Sequence, residues 1–350
     1  MINNNYQENF RYIEEEDAFR SLTPFRSGNY LMSYNIINTA FIKSTVDNSP
    51  TFEQFLENRS TIQSRLQSEA IVNGTYRESQ QDVIIPAFLA AYTGQDVNSV
   101  SLKPVPTIPL PNWRVDYKGL TNIKAVKDVF PSVTLSHAYV SSFSLSNFRS
   151  NSIYDNEQGV DITVGNSIID YPKPTQVSDS GYFLPVYNIE TVLISEKFSP
   201  LIGVSIRTKG RLTAKAEYRR ERNLSLSTTT AQLTDIQSND FVIDIGFTDP
   251  SFKLPFKVKG RVVSLKNDLT MQLSMTLRNT ETIQRSIDDG NATIVDGNLN
   301  FQLRPTVNYT VNDRLNLNFY FQRSFNEPKL TNSFPSTNTT FGVQVRFGLQ

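Results

Sequence analysis

The stretch "LNFQLRPTVNYTVNDRLNLNFYFQRSF" (299–325) divides its side chains into two alternating sets. Apolar residues occupy every second position from Phe301 to Val311, and polar residues fill most positions between them. After "NDR" the alternation restarts and runs from Leu315 to Phe321. Side chains of a β-strand point alternately to its two faces. The stretch therefore predicts two strands, each with one apolar and one polar face.

The apolar residues also predict the register of this hairpin. Pairing Val311 with Leu315 places Val307 opposite Phe319, so that apolar side chains face apolar partners. A two-residue loop would shift the register and turn one strand's apolar side to the opposite face. We therefore expect a turn with an odd number of residues.

The same alternation recurs from Trp113 onward. Clear examples are "SVTLSHAYVSSFSLSNF" (132–148), "LTAKAEYRRERNLSLS" (212–227), "LTMQLSMTLR" (269–278) and "FGVQVRFGL" (341–349). By the usual strand signals we count roughly ten such segments, several of them about ten residues long. No amphipathic helix is predicted between them, so the strands should be antiparallel neighbours joined by hairpins and loops.

The first third of the sequence differs from the rest. "NYLMSYNIINTAFIKS" (29–44) predicts one or two strands. A helix is predicted from Ser49, its N-cap, with Pro50 at the first helical position. A second helix, "DVIIPAFLAAYTG", should begin at Asp82 as its cap and end at Gly94. The prolines of "LKPVPTIPLPNW" then require an extended connector.

These patterns divide the chain into three parts. Residues 1–48 hold one or two strands and a connection, residues 49–111 hold a helical insert and the Pro-rich connector, and residues 112–350 hold antiparallel strands. The predicted fold class is mainly all-β, in antiparallel strands with a short helical insert in the first third.

Composition excludes several classes of protein. Lys plus Arg equals Asp plus Glu at 34 each, which gives no basic excess for binding nucleic acid. Mean hydropathy is −0.34, and the sequence has no apolar run long enough for a transmembrane helix. The start lacks the basic and apolar regions of a signal peptide, so an exported form of this chain should be missing its beginning.

Alternation alone leaves open whether lipid or a second protein layer covers the apolar faces. Polar faces rich in Ser, Thr, Asn, Gln and Arg, together with strands near ten residues, favour a membrane β-barrel. Aromatic residues are expected near strand ends, as an interfacial girdle requires, at Tyr182, Phe183, Tyr320, Phe321, Phe341 and Phe347. Pro305, which would remove a ladder hydrogen bond in a closed barrel, and the final Gln350 argue against it.

Several segments resemble the C-terminal region of the SprA/Sov family, the outer-membrane translocon of type IX secretion and gliding motility. These are "DVIIPAFLAAYTGQD", "SLKPVPTIPLPNWRVDYKGL", "YNIETVLISEKFSPLIGV" and "RLNLNFYFQRSFNEP", in this order from about residue 30 onward. The resemblance implies the final strands of a very large single-chain barrel in the outer membrane. It further implies partners: secreted proteins with a C-terminal signal, a PorV-like shuttle barrel, a plug protein, the rest of the translocon chain and outer-membrane lipid.

Few residues suggest catalysis or metal binding. His137 is the only histidine and there is no cysteine, so Cys/His chemistry is excluded, and Ser136 should point to the opposite face from His137. "EEED" (14–17) is expected to be solvated, although calcium is an alternative. Asp288, Asp289 and Gly290 predict a turn. We predict no enzyme activity and no catalytic, cofactor-binding or metal-binding residue.

Two of three other motifs have two interpretations each. "RRERN" (219–223) is either a basic patch of a lumen or, as we favour, the solvated end of a strand. "PAFLAAY" is either a partner-binding helix or, as we favour, a helix packed inside a larger barrel or its periplasmic cap. The sequon at Asn291 is uninformative in a bacterial context.

Two functions from different classes remain open. The first is a component of an outer-membrane protein-translocation pore, with no nucleotide motif and hence an energy source elsewhere. The alternative is a secreted, soluble all-β adhesion or carbohydrate-binding module. A small stand-alone porin is a third, less favoured function.

Overall fold

The computed structural model describes residues 2–7, 10–13, 18–21, 25–151, 153–154, 168, 171–258, 261–265, 267–312, 314–330 and 333–348. For the described residues that fall within 2–25 and 254–264, the structure gives only the backbone. The strands are β1 (Ile2–Gln7), β2 (Phe10–Ile13), β3 (Ala18–Ser21), β4 (Phe25–Ser33), β5 (Trp113–Tyr117), β6 (Ser132–Ser150), β7 (Tyr187–Asn188), β8 (Thr191–Arg207), β9 (Leu212–Ser227), β10 (Gln232–Asp249), β11 (Lys253–Val258), β12 (Arg261–Ser264), β13 (Leu269–Ser286), β14 (Ala292–Asn312), β15 (Leu315–Pro328) and β16 (Ser336–Phe347). The α-helices are α1 (Pro50–Ser68), α2 (Gln81–Thr93) and α3 (Lys124–Lys127).

Within the described ranges, one antiparallel sheet of 12 strands contains most of the strands. Its order is β1-β4-β6-β8-β9-β10-β13-β14-β15-β16, with β5 and β7 also paired to β6. The sheet is open at β1 and at β16. The prediction of a mainly antiparallel β fold with a helical insert is confirmed.

The strands are longer than the sequence predicted. The strands β6 and β8 to β10 have 16 to 19 residues, and β14 has 21. At a rise of about 3.3 Å per residue, β14 extends over about 70 Å. The longer strands arise because polar residues such as those of "RRERN" continue the ladder instead of ending it.

The 299–325 hairpin keeps its predicted facing pairs but closes differently. Val307 pairs with Phe319 as predicted. The pairing of Val311 with Leu315 and the odd-numbered turn are both wrong, because Leu315 pairs with Asn312 across two residues and the register shifts between Thr310 and Asn312. Val311 is the extra residue at this irregularity. The loop is therefore short, while the apolar rows of both strands stay on one face.

Both helices of the insert lie where they were predicted. Ser49 is the N-cap of α1 and Pro50 its first residue, while Gly94 ends α2 with a left-handed φ of 68°. The prediction for Asp82 is wrong: Gln80 is the N-cap of α2, and Asp82 lies in its first turn. The Pro-rich connector contains neither helix nor strand before Trp113.

Two further local predictions need correction. Of 29–44, only the part up to Ser33 is a strand, and a short 3-10 helix follows at Ile37–Thr39. Between β5 and β6 the chain forms a 3-10 turn at Gly119–Asn122 and then the short helix α3, where no helix was predicted.

The core forms where the insert packs on one half of the sheet. Phe55, Ile85 and Phe88 of the helices are fully buried. They belong to one cluster with the following side chains of the strands: Phe143, Leu145, Val192, Ile194, Leu224, Leu226 and Leu233. Full burial of each such side chain contributes about 1.5–3 kcal/mol. The insert is thus part of the sheet's core. In the described part of the chain, no helix is long and apolar enough to cross a membrane.

We expect Gly94→Ala to lower the free energy of unfolding by about 1 kcal/mol or more, because an L side chain is strained at this φ. A Cβ here would also lie 3.2 Å from the Cβ of Asn38. Gly210→Ala is the matched control, since a Cβ there has its nearest neighbour at 3.8 Å. Denaturant unfolding of both variants measures the difference, and equal effects would contradict the role of Gly94.

Candidate functional site

The two faces of the sheet differ in polarity from β6 to β16. On β9 and β10, Ala216 pairs with Ile243 and Tyr218 with Phe241, and these pairs lie on one face. The same face continues through β13 to β16, where Met275 pairs with Leu303. The opposite face carries the residues between them, including Thr270, Gln272, Ser274, Gln302, Asn308, Asn316, Asn318 and Gln344.

Part of the apolar face is not covered by the insert, and most of its side chains are partly or largely exposed. We call this part the apolar band. It consists of alternate residues of Ile202–Ile206, Leu212–Tyr218, Phe241–Phe247, Leu269–Leu277, Phe301–Tyr309, Leu315–Phe321 and Phe341–Phe347. Exposed fractions reach 79% at Phe341 and 60% at Ile202, and Phe319 is 44% exposed. Apolar surface this extensive on a sheet face is typical of an interaction site.

The height of the apolar band can be estimated from β13. The apolar row from Leu269 to Leu277 measures about 26 Å along the strand at about 3.3 Å per residue. At a tilt of about 45° the row is about 19 Å high, which fits within the band of about 25 Å on membrane barrels.

Several charged side chains on the polar face are paired. Lys215 and Arg219 both contact the carboxylate of Glu217, at 2.6 and 2.5 Å. Arg278 makes two hydrogen bonds to Asp240, at 3.0 and 2.6 Å. At these positions opposite charges neutralise each other on a hydrophilic surface.

Beyond the apolar band, the same face carries a buried ion cluster beneath the insert. Arg222 of β9 donates two hydrogen bonds to Asp235 of β10, at 3.1 and 2.7 Å, and both side chains are buried. Asp235 also accepts a hydrogen bond from Ser44 at 3.2 Å. Arg285 of β13 donates to Ser44 and to the carbonyl of Thr45. The cluster therefore connects three strands to the segment that leads into α1.

Cation–π contacts extend this attachment to the helices. The guanidinium of Arg222 lies 5.4 Å from the ring centre of Tyr92 in α2, and that of Arg285 lies 5.3 Å from the ring centre of Phe52 in α1. Such contacts contribute up to about 2 kcal/mol when desolvated. Each arginine thus contacts one helix, and Arg285 also contacts the loop before α1.

A cavity of about 400 Å³ lies at the end of the insert away from the ion cluster. Its lining includes Arg65, Leu66, Tyr76, Asp82, Leu102 and Tyr171. Asp82 accepts hydrogen bonds from the Tyr171 hydroxyl at 2.5 Å and from Gln80 at 3.0 Å. Burial raises the pKa of Asp82, although both hydrogen bonds act to lower it. Burial and the nearby Asp82 also raise the pKa of Tyr171.

His137 and its sequence neighbour Ser136 lie on opposite faces of β6. His137 Nδ1 lies 2.7 Å from the carbonyl oxygen of Leu201, and its ring packs near Trp113 and Phe198. Ser136 pairs with Gly203 on the adjacent strand. A backbone contact of this kind fixes the imidazole and is typical of a structural histidine.

The prediction for "RRERN" is wrong, because β9 continues to Ser227 and these residues lie in mid-strand. Arg219 and Glu221 lie on the polar face and are paired, whereas Arg222 is buried in the ion cluster. Sequence reasoning missed the cluster, since Asp235 lies on the next strand and Ser44 in a distant segment. The signal available in the sequence was that Arg222 falls on the face of β9 that also carries Leu224 and Leu226, where a buried charge needs a partner.

The other predicted motifs have mixed outcomes. "PAFLAAY" is buried on all sides in α2, so it presents no free surface to a partner. Asp288 and Asp289 form the predicted turn, with Gly290 at a φ of 72°. "EEED" (14–17) lies outside the described residues. Asn291 is exposed directly after the turn.

The predicted aromatic girdle is partly wrong. Phe183 is buried against Tyr76 with ring centres 4.4 Å apart, and Tyr182 lies in the same loop, where the guanidinium of Arg77 lies 3.8 Å from its ring centre. The other four residues lie within β15 and β16, and only Phe347 is at a strand end.

Comparisons with known proteins identify no relative. No family model matches the sequence, and no curated protein matches it. No group of three or more His, Asp or Glu side chains in the described ranges is arranged to hold a metal ion. Function is therefore inferred from the apolar band, the polar face and the insert.

We expect Asp235→Asn to cost about 3–5 kcal/mol of stability, because it leaves Arg222 buried without a counter-charge. Glu221→Gln is the matched control on the polar side of β9, because Glu221 forms an exposed ion pair with Lys197 of β8, with exposed fractions of 39% and 51%. Exposed pairs contribute about 0–1 kcal/mol. Denaturant unfolding compares the two, and a cost for Asp235→Asn as small as the control's would contradict the anchoring role.

The raised pKa of Asp82 predicts a pH dependence of stability. Since this pKa lies above the ordinary value of 3.8, the folded protein binds the proton more tightly than the unfolded chain does. Stability from this group is greatest below the unfolded pKa and declines as pH rises through the folded pKa. Asp82→Asn removes the titration while keeping a similar shape.

We therefore expect the thermal midpoint of Asp82→Asn, relative to the wild type, to increase as pH rises from about 4 to about 8. Subtracting the thermal midpoint of the wild type from that of the variant at each pH cancels the contributions of the other titrating groups. A difference that is constant across this range would contradict the assignment.

Proposed function

We propose that this chain forms part of the wall of an outer-membrane β-barrel through which proteins are translocated. The observation that carries the proposal is the apolar band, which faces outward from one side of a sheet whose other side is polar. In a bilayer the apolar band contacts acyl chains, and the polar face borders an aqueous passage.

Backbone hydrogen bonding adds a requirement to this proposal. In hydrocarbon each unpaired N–H or C=O group costs several kcal/mol, so a membrane wall must pair every strand edge. The sheet is open at β1 and at β16, whose residues Ser336–Phe347 are mostly exposed. Further strands must therefore continue the wall on both sides, as the resemblance to the SprA/Sov family implies.

The polar face suits passage of a polypeptide. Its amide and hydroxyl side chains stay hydrated, and several of its charges are neutralised in ion pairs. The wall acts passively, so the energy for transport comes from elsewhere. In this proposal the partners are secreted proteins with a C-terminal signal, a PorV-like shuttle barrel and a plug protein, all taken from the resemblance.

Membrane fractionation of the native protein tests the proposal. We expect the chain to sediment with outer membranes, to resist extraction by alkaline carbonate and to dissolve only in detergent. Recovery as a soluble monomer without detergent would contradict the proposal and favour a secreted adhesion or carbohydrate-binding module.

Two neighbouring positions on β13 provide a matched pair of variants. Leu273 lies in the middle of the apolar band, and Gln272 lies on the polar face. We expect Leu273→Arg to reduce the amount of assembled protein in the membrane, because arginine costs about 2–4 kcal/mol on the lipid face at the bilayer midplane. Gln272→Arg should assemble as the wild type does. The membrane-integrated fraction of each variant is the measurement, and equal assembly of both would contradict the assignment of faces.

A further inference from the structure

The insert and the apolar band lie on the same face of the sheet. On β9 the residues Leu224 and Leu226, buried under the insert, have the same parity as Ala216 and Tyr218 of the apolar band. The register between β9 and β10 is continuous, so no bulge moves these residues to different faces. On β8 the irregularity between Phe198 and Ile202 adds two residues and also preserves parity.

Between the insert and the apolar band lies a cluster of aromatic side chains from separate parts of the chain. Trp113 of β5 stacks on Tyr139 of β6 with ring centres 4.5 Å apart, and Tyr139 lies 4.8 Å from Phe198 of β8. Phe41 lies 5.4 Å from Phe198. The guanidinium of Arg220 lies 5.5 Å from the ring centre of Phe41. We call these five residues the aromatic belt.

The aromatic belt is partly open to the surroundings and continuous with the apolar band. Phe41 is 58% exposed, and Trp113 is half-buried. Below Trp113 on the same strand, Val115 and Tyr117 are both more than half exposed. The apolar band, the aromatic belt and the part of the sheet covered by the insert therefore follow one another along the strands.

This order matches the layers of a bilayer. Tryptophan and tyrosine favour the headgroup region, where a ring is half in apolar surroundings and half hydrated. Arginine places its charged end in the same region while its stem lies along apolar surface. Above this layer, the surface of the insert includes the ion pair of Lys173 with Glu69, in which both side chains are about half exposed.

We propose that the aromatic belt lies at the lipid headgroups, so that the helical insert lies outside the bilayer on the lipid-facing side of the wall. This inference rests on the proposed function. It places the insert outside the lumen, in contrast to a helix packed inside the barrel. The insert and the belt together set the depth at which the wall sits in the membrane.

Tryptophan fluorescence tests this directly, because Trp113 is the only tryptophan in the chain. The full chain, purified in its native outer-membrane assembly, is reconstituted in bilayers whose lipids carry bromine either near the headgroup or near the end of the acyl chain. The same assembly with Trp113→Phe gives the fluorescence of any other tryptophans, which is subtracted. We expect Trp113 to lose fluorescence mainly with the shallow bromine. Trp113→Phe with Phe41→Trp is a second reporter of the belt, which keeps the test valid if one site is shielded by its neighbours.

A deep reporter separates failure of this inference from failure of the proposed function. Trp113→Phe with Phe319→Trp places the single tryptophan in the apolar band, and we expect quenching mainly by the deep bromine. If this reporter is not quenched, the proposed function fails. If it is quenched by the deep bromine while both belt reporters are unquenched or respond mainly to the deep bromine, the inference fails and the proposed function stands.

Discussion

Strict alternation of side chains, kept in phase from strand to strand, is the constraint on which the rest of the structure depends. A shift of one residue between neighbours would move a whole row to the opposite face. The ladders avoid this over long distances, and β10 pairs with β13 without interruption from Gln232 to Asp249. In β14 the apolar residues switch from even to odd positions near Val295, and a bulge there keeps them on one face. Ile283 pairs with Ile294 while Thr282 pairs with Asp296, so that Val295 is the extra residue.

The apolar face serves two purposes along its length. Under the insert it is part of a dry core, where a charge is tolerated only with a partner, as in the pair of Arg222 and Asp235. Further along, it is exposed and free of such pairs, as expected of a surface adapted to an apolar environment. Pro305 fits this arrangement: it lies inside β14, and the ladder to β15 passes from Leu303 directly to Thr306.

Local signals in the sequence predicted much of the fold. Ser49 and Pro50 marked the start of α1, Gly94 marked the end of α2, and the facing of Val307 with Phe319 followed from period-two alternation. Features that depend on distant segments were missed. The ion cluster needs Ser44 and Asp235 to meet, at a separation of 191 residues, and the aromatic belt combines five segments. The lengths of the strands were underestimated because polar residues within a ladder resemble strand ends in sequence.

Site-specific labelling along β13 tests most directly whether the apolar band faces lipid. The chain contains no cysteine, so single cysteines from Thr270 to Leu277 can each carry a spin label in bilayers. Collisions with oxygen, which concentrates in lipid, and with a water-soluble nickel chelate should alternate with a period of two. The account predicts that odd positions favour oxygen and even positions favour nickel. Odd positions that are shielded from both reagents, or reached by the nickel chelate, would contradict it.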